Sequence, residues 1–544
     1  MKKRILSGLL SLCLILLSAL AVWRTGISAE APGETDAPWD GKATTPPEGS
    51  GTETDPYRIG TAAEFAWMNE QMTEKNKTYF SGTYFVLTAD IDCNGKQLRI
   101  GTSSKSFGGV FDGKGYTVRN THILLLNVSP TGLFAYVKGG TVKNLNVAAS
   151  SVSTIAADKD EKGTAGMIVG FLESGTLTGC TVDENCFVSA TCYVGGLVGK
   201  AQNSNISYCV SNASVTVAPN DATKQQQKFC LNFSVGGILG WSLGGNTVAH
   251  CSNYGKVALE NISEIKGETN ILCAGGIVGY HTAGDSVTDS YNSGAVTGVE
   301  TLGSRISVGA VIGRSRTAPA VTVETAVTVE RCYNLSQILS VSGKGNRHVG
   351  LLVGYVNTAN ILTAKDCMSV AVDGIDNGSD NSIVIQANGA IIAENNKIAT
   401  AEEIAVPVAG IQAKIKANRV ARLALIGLQT TEAVGGVYSV RILLGLDHLD
   451  YAYYKIVTTA TYEKDGATQT ANNGGKPLTV AYDTVYAAGE PVSAVRFGSD
   501  YLGAIVLSEV PADTAIAFVI RAYVGDAAGN ETLVDSVTCQ IGNQ

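Results

Sequence analysis

"YVGGLVGKAQNSNISYCVSNASV" (residues 193–215) sets three glycines around two aliphatic residues, adds a polar run, and closes on a cysteine and a valine. The stretch recurs. "SVGGILGWSLGGNTVAHCSNYGKV" (234–257) and "CAGGIVGYHTAGDSVTDSYNSGAV" (273–296) repeat it closely. "AGMIVG" (from 165), "VGAVIG" (from 308) and "VGLLVG" (from 349) open more divergent copies, and "GLFAYVKGGTVKNLNV" (132–147) is a forerunner. The first glycines fall at 132, 166, 195, 236, 275, 309 and 350, in steps of 34, 29, 41, 39, 34 and 41 residues. A constant core with irregular steps describes one structural unit joined by loops of variable length. Short strands and no helical period predict a parallel β-solenoid. A propeller would also suit steps near 40 residues, but the 29-residue step and the presence of only four tryptophans argue against it.

Within a unit, the glycines of "GGLVG" allow tight corners and close backbone approach between stacked coils. Cys251, Asn253, Gly255 and Val257 alternate, which predicts one shared face. Ser290, Asn292, Gly294 and Val296 form the matching set, as do Cys332, Asn334, Ser336 and Ile338. Stacked coils would turn these into cysteine and asparagine ladders, the asparagines satisfying buried amides. At two coils per unit, residues 80–395 would give roughly a dozen coils and a stack on the order of 60 Å.

The rest of the chain divides by composition. Residues 1–29 read as a signal peptide: Lys2, Lys3 and Arg4, an apolar run, then small residues suited to cleavage. An uncleaved membrane anchor is the alternative for this segment. Residues 30–50 are rich in Pro, Gly and acid and predict a flexible linker. Residues 51–82 predict an N-terminal cap, with Thr61 and Glu64 as a capping box and Phe65, Met68 and Met72 on the apolar face of a short helix. The solenoid is assigned to 83–399. Residues 400–544, including "GIQAKIK" (410–416) and "AIAFVIRAYVG" (515–525), predict an antiparallel β-sandwich.

A net charge of −8 with only 16% charged residues excludes a nucleic-acid binder that works through phosphate contacts. His122, His250, His281, His348 and His448 are scattered, without metal-ligand spacing, and predict loop or coil-surface positions. Cys180, Cys209, Cys251, Cys332 and Cys367 each close a unit, so they read as packing rungs rather than as a single activated nucleophile. The "GKG" turns at 113–115 and 343–345 lack the context of a phosphate loop. Asp90, Asp92 and Asp112 are the best acidic grouping for glycan hydrolysis or calcium, but turn chemistry explains them equally. "AADKDEKGT" (156–164) reads as a solvated loop. No catalytic, cofactor or metal residue is assigned.

The repeated "GGLVG", "GGILG" and "GGIVG" cores, with their closing strands, resemble the GLUG motif of bacterial surface proteins, among them IgA-specific metallopeptidases and adhesins. "GTETDPYRIGTAAEF" and "FGGVFDGKGYTV" are similar to the cap and first coils of those proteins, which resemble pectin-lyase-like β-helices. The resemblance covers about residues 50–375 and implies an all-β chain: a right-handed parallel β-solenoid followed by the sandwich. The peptidase zinc motif His-Glu-x-x-His is absent, so that activity is not implied. The expected function is that of a secreted or cell-surface, non-enzymatic, adhesin-like binding protein without cofactor. Its partner would be a carbohydrate or a host or cell-surface protein. The alternatives are a polysaccharide lyase or hydrolase acting in a groove along the solenoid, and a stalk for the C-terminal module.

Overall fold

The computed structural model describes residues 38–419 except 76, 156–162, 218–231, 261–270, 283, 300–304, 316–326, 343–345, 358–360, 373–383 and 387–389, and beyond them the backbone of strands between 422 and 541. Residues 1–29, read as a signal peptide, His448, the loop at 156–162 and the second "GKG" lie outside the described residues.

Each sequence unit closes one turn of a parallel β-solenoid. One turn runs through five short strands, Thr176–Thr178, Thr181–Val182, Phe187–Ala190, Tyr193–Gly195 and Val198–Gln202. The chain then arrives at Asn205–Ser207, directly above Thr176–Thr178 and parallel to it. Repetition builds five parallel sheets of eleven, ten, seven, six and ten strands, numbered here in the order the chain visits them. The glycines that set the sequence phase are the register itself: Gly166, Gly195, Gly236, Gly275, Gly309 and Gly350 pair in succession in the fourth sheet. The expectation of two coils per unit is therefore corrected to one. Eleven strands at about 4.8 Å give a stack of about 50 Å. Parallel pairing throughout these sheets excludes propeller blades, which are antiparallel.

Corners explain the composition. Between the fourth and fifth sheets the backbone folds back so sharply that a Cβ on Gly195 would lie 1.8 Å from the Val198 carbonyl oxygen. On Gly237 it would meet the carbonyl of Gly276, one coil away, at 2.1 Å. Between the first and second sheets one residue per coil takes the left-handed conformation, including Tyr208 (φ 55°), His250 (φ 53°) and Arg331 (φ 49°). Bulky side chains rarely adopt it, and here their side chains pair along the corner: Tyr208 stacks on His250 at 4.8 Å, and Arg331 binds Asp289 at 2.8 Å.

Inside, the ladders form. Asn253, Asn292 and Asn334 pair in register and are fully buried. Asn253 Nδ2 donates to Asn292 Oδ1 at 2.8 Å, and each Nδ2 also caps a turn carbonyl two residues on. Cys180, Cys209, Cys251, Cys332 and Cys367 are buried free thiols, with Ser290 standing in for one rung. Their sulfurs lie 3.3–4.0 Å from carbonyl oxygens of the preceding coil. The Cys251 and Val257 positions share the inward face across a corner rather than on one strand. The third set slips by one: Ile338 is exposed, and Leu339 pairs with Val296.

Helix α1 (Ala62–Glu70) covers the first coils, with both halves of the Thr61–Glu64 capping box made and Phe65, Met68 and Met72 buried. Phe65 stacks on Phe111 at 4.9 Å. Strands Tyr57–Ile59 and Lys77–Tyr79 already belong to the first and fifth sheets. The flexible linker is corrected over 38–50. That segment is fastened to the cap by Arg58 N donating to Glu48 O at 2.8 Å and by Thr44 Oγ1 donating to Glu70 at 2.5 Å.

"GIQAKIK" is not a strand. It lies in α2 (Ala401–Ala417), which opens on a second capping box, Thr400–Glu403. Its buried face, Ile404, Val408, Ile411 and Ile415, packs on Val210, Tyr291, Tyr333 and Val370 of the second sheet. Residues 423–447 and 451–544 belong to a separate compact unit. Its described strands form sheets of three, four and two strands, with Tyr453–Lys464 and Ile516–Gly525 paired antiparallel along ten positions.

Candidate functional site

The residue just after the last glycine of each "GxxxG" core points outward from the fifth sheet. In successive coils it is Phe171, Lys200, Trp241, Tyr280 and Arg314, paired in register. Tyr136 precedes the series, and Tyr355 follows it in a coil aligned through Ile312–Val353. Every position in this column is aromatic or a long cation. The outward column of the fourth sheet is mostly small: Tyr193, Ser234, Cys273, Ser307 and His348.

The tight glycine corner brings the two columns side by side along the stack, the two walls of a proposed trough. Tyr193 packs on Trp241 with ring centroids 4.4 Å apart, His348 on Tyr355 at 4.5 Å, and Ser234 Oγ donates to the Gly240 carbonyl at 2.5 Å. Small side chains opposite large ones give the rings room. Phe171 stacks on Tyr136 at 4.9 Å. Lys200 Nζ lies 4.5 Å from the Phe171 centroid, and the Arg314 guanidinium 4.3 Å from that of Tyr355, both cation–π distances.

Burial rises along the stack. Phe171, Lys200 and Trp241 are half-buried, whereas Tyr280 is 2% and Arg314 3% exposed. Among the described residues, Trp241 Nε1, Ser307 Oγ, and Nε and Nη1 of Arg314 are buried there without a hydrogen-bond partner. Burial together with the nearby Arg314 and Arg305 charges holds the His348 imidazole below its ordinary pKa. Near the other end, Glu173 is engaged by Lys138 at 3.1 Å and by the Tyr136 hydroxyl. The chemistry on offer is stacking, cation contact and hydrogen-bond donation; no pair of free carboxylates faces the trough among the described residues.

The residues singled out in the sequence lie elsewhere. Asp92 accepts from Arg119 Nε at 3.0 Å and from Asn120, whereas Asp112, on another sheet, is nearly buried between Lys114 and Lys143. Asp90 accepts from Thr117 N at 2.8 Å. All three work as turn and ladder partners, and the first "GKG" is the turn that Asp112 caps through Lys114 N. His122 is exposed and within 2.9 Å of Ser151 Oγ.

His281 is a correction: it is a core residue, 1% exposed, rather than a surface one. Its Nδ1 lies 3.5 Å from Asp285 Oδ2, which accepts from Ser242 Oγ at 2.5 Å. Serine, aspartate and histidine meet here, but the serine donates to the carboxylate and all three face the solenoid interior. Among the described residues no cluster of three or more His, Cys, Asp or Glu could hold a metal ion. Burial pushes the Cys180, Cys251 and Cys332 thiols well above their ordinary range, so they are inert.

Sequence reasoning read past the trough. Its signal was present: the residue after "GxxxG" runs F, K, W, Y, R, Y through six copies, with no small or acidic member.

Comparison with known proteins agrees with the repeat and adds little beyond it. Residues 190–216 match the GLUG motif. No curated protein matches the chain. A double mutant of the tailspike protein of E. coli bacteriophage HK620 aligns at 12% identity over 86% of this chain and 82% of its own, with a TM-score of 0.16, too low to carry an argument.

Proposed function

We propose that this GLUG-motif solenoid is an exported, non-enzymatic binding protein of the extracellular or cell-surface kind, which holds an extended glycan in the trough between its fourth and fifth sheets. The observation that carries the reading is the in-register column from Tyr136 to Tyr355, every member aromatic or cationic. Sugar rings present apolar faces that pack on aromatic rings and hydroxyls that suit buried donors such as Trp241 Nε1. A column with one ring or cation per coil suits a linear polymer better than a compact ligand. The paired Glu173, with no second carboxylate facing it among the described residues, favours binding over glycosidic cleavage. Among the described residues no helix is long and apolar enough to cross a membrane. The antiparallel strands beyond 422 are proposed to pack as a β-sandwich module.

The test is binding of the full chain to a panel of neutral and acidic polysaccharides, with product analysis on the same samples. Trp241→Ala should weaken binding roughly tenfold or more, on the scale of one lost ring contact. Release of reducing or unsaturated ends would overturn the non-enzymatic reading. Unchanged binding by Trp241→Ala would overturn the trough.

A further inference from the structure

We infer that the trough around Arg314 is an anion subsite, built to take the carboxylate or sulfate group of an acidic glycan; that the carrier is a glycan rests on the function proposed above. Arg314 is 97% buried, since only 3% of it is exposed, and among the described residues its Nε and Nη1 have no hydrogen-bond partner. Leaving a buried cation without a hydrogen-bonding counter-charge is costly. Three half-exposed arginines of the solenoid have a carboxylate, whereas part-buried Arg99 has at least the Pro130 carbonyl, 3.1 Å from its Nη2. Arg58 pairs with Asp55 at 2.9 Å, Arg119 with Asp92 at 3.0 Å and Arg331 with Asp289 at 2.8 Å. Arg314 instead lies against a tyrosine ring, which fixes the guanidinium plane and leaves its N–H rim to a ligand.

The neighbours suit the same guest. Ser307 Oγ is fully buried and unpartnered on the facing wall, and Arg305 is exposed two residues away on the same face of that strand. His348 is near enough to Arg314 and Arg305 for their charges to oppose its protonation. Like charges gathered with no described carboxylate ion pair among them lower the cost of admitting an anion. Two coils back, about 10 Å along the stack, Trp241 presents a half-buried ring with an unpartnered N–H. A linear saccharide could thus stack at Trp241 while its acidic group reaches Arg314.

The test uses the full chain in three forms: wild type, Arg314→Gln and Trp241→Ala. Two charged and uncharged pairs separate the possible anion sources: polygalacturonate against its methyl ester, and chondroitin sulfate against unsulfated chondroitin. Inorganic sulfate against chloride at equal ionic strength probes the anion site without a sugar. Wild type should bind at least one charged glycan roughly ten- to a hundredfold tighter than its partner in the pair, the scale of a hydrogen-bonded charge. Arg314→Gln should erase that preference while keeping the weaker uncharged binding, and should lose the sulfate-specific part of the wild-type rise in melting temperature. Equal sulfate shifts in wild type and Arg314→Gln, or charge-blind binding, would overturn the anion subsite even if Trp241-dependent glycan binding persisted. A sulfate shift that needs Arg314, with no glycan bound, would keep the subsite and overturn the glycan reading.

Discussion

Replacing Asn292 by leucine tests whether the asparagine column holds the coils together. Asn292 is completely buried, accepts from Asn253 Nδ2 at 2.8 Å through Oδ1, and donates through Nδ2 to the Gly294 carbonyl at 2.8 Å. Leucine has the same branched shape with bulkier methyl ends, so no cavity is opened and some crowding is added. What changes is hydrogen bonding. The Gly294 carbonyl loses its side-chain donor, while Asn253 keeps its bond to the Gly255 carbonyl at 3.0 Å and loses the inter-coil one. Each buried group left unsatisfied costs about 1–3 kcal/mol, so the variant should lose about 2–5 kcal/mol, partly offset by the added apolar contact. Urea unfolding of the full chain, followed by far-UV circular dichroism, would measure it, with the exposed Asn205→Leu as a control near zero. Asn253→Leu/Asn292→Leu together should cost less than the two single changes summed, because removing both partners of a buried bond orphans fewer groups. A loss below about 1 kcal/mol for Asn292→Leu, or strict additivity of the pair, would refute the ladder as a stabilising network.

Gly237→Ala places a Cβ 2.1 Å from the Gly276 carbonyl oxygen and 2.3 Å from Asn253 Cγ, so it should cost more than about 3 kcal/mol or abolish soluble expression; a melting temperature within a few degrees of wild type would contradict the corner geometry. Thr61→Ala removes the acceptor for Glu64 N and should destabilise the cap by about 1 kcal/mol, read as a lower urea midpoint. Burial holds the His281 and His348 imidazoles below the ordinary value of 6.5 in the folded chain. The unfolded chain therefore binds those protons more readily, and stability present above pH 6.5 should fall as pH drops below it. Thermal melts between pH 7.5 and 5 would show this, and His281→Leu should flatten the slope.

Periodic features were legible in the chain, and features that need a neighbouring coil were not. Gly195, Gly236 and Gly275 announce themselves because a fixed corner tolerates no substitute, and their spacing became the strand register. Thr61 with Glu64 is a local signature, and it formed as read. The number of strands per unit was hidden because strands such as Thr181–Val182 and Ser252–Asn253 are too short to display alternation. α2 was misread because isoleucines at 411 and 415 also fit a strand; adding Ile404 and Val408 restores the helical spacing, and Thr400–Glu403 repeats the cap signature seen at Thr61. The trough residues escaped notice because Lys200, Trp241 and Arg314 differ chemically. Their shared place after the glycine core was visible in the sequence, and the register makes that place one column.

A stack whose turns touch only their neighbours gives way one turn at a time from an end. α2 changes how such a stack would carry mechanical load. Its 17 residues reach about 25 Å, and the helix runs from beside Ala399 back to Asn418, whose amide lies against Gly179 in the fifth of eleven turns. On the way Gln412 donates to the hydroxyls of Tyr254 and Tyr291, in two further turns. The chain therefore departs from the flank of the solenoid and not from its last turn. Tension applied beyond residue 418 would enter as shear along the helix, pulling on Ile404, Val408, Ile411 and Ile415 together. The helix acts as a stave across hoops, so a pull that would unpeel a bare coil must break a whole row of contacts at once.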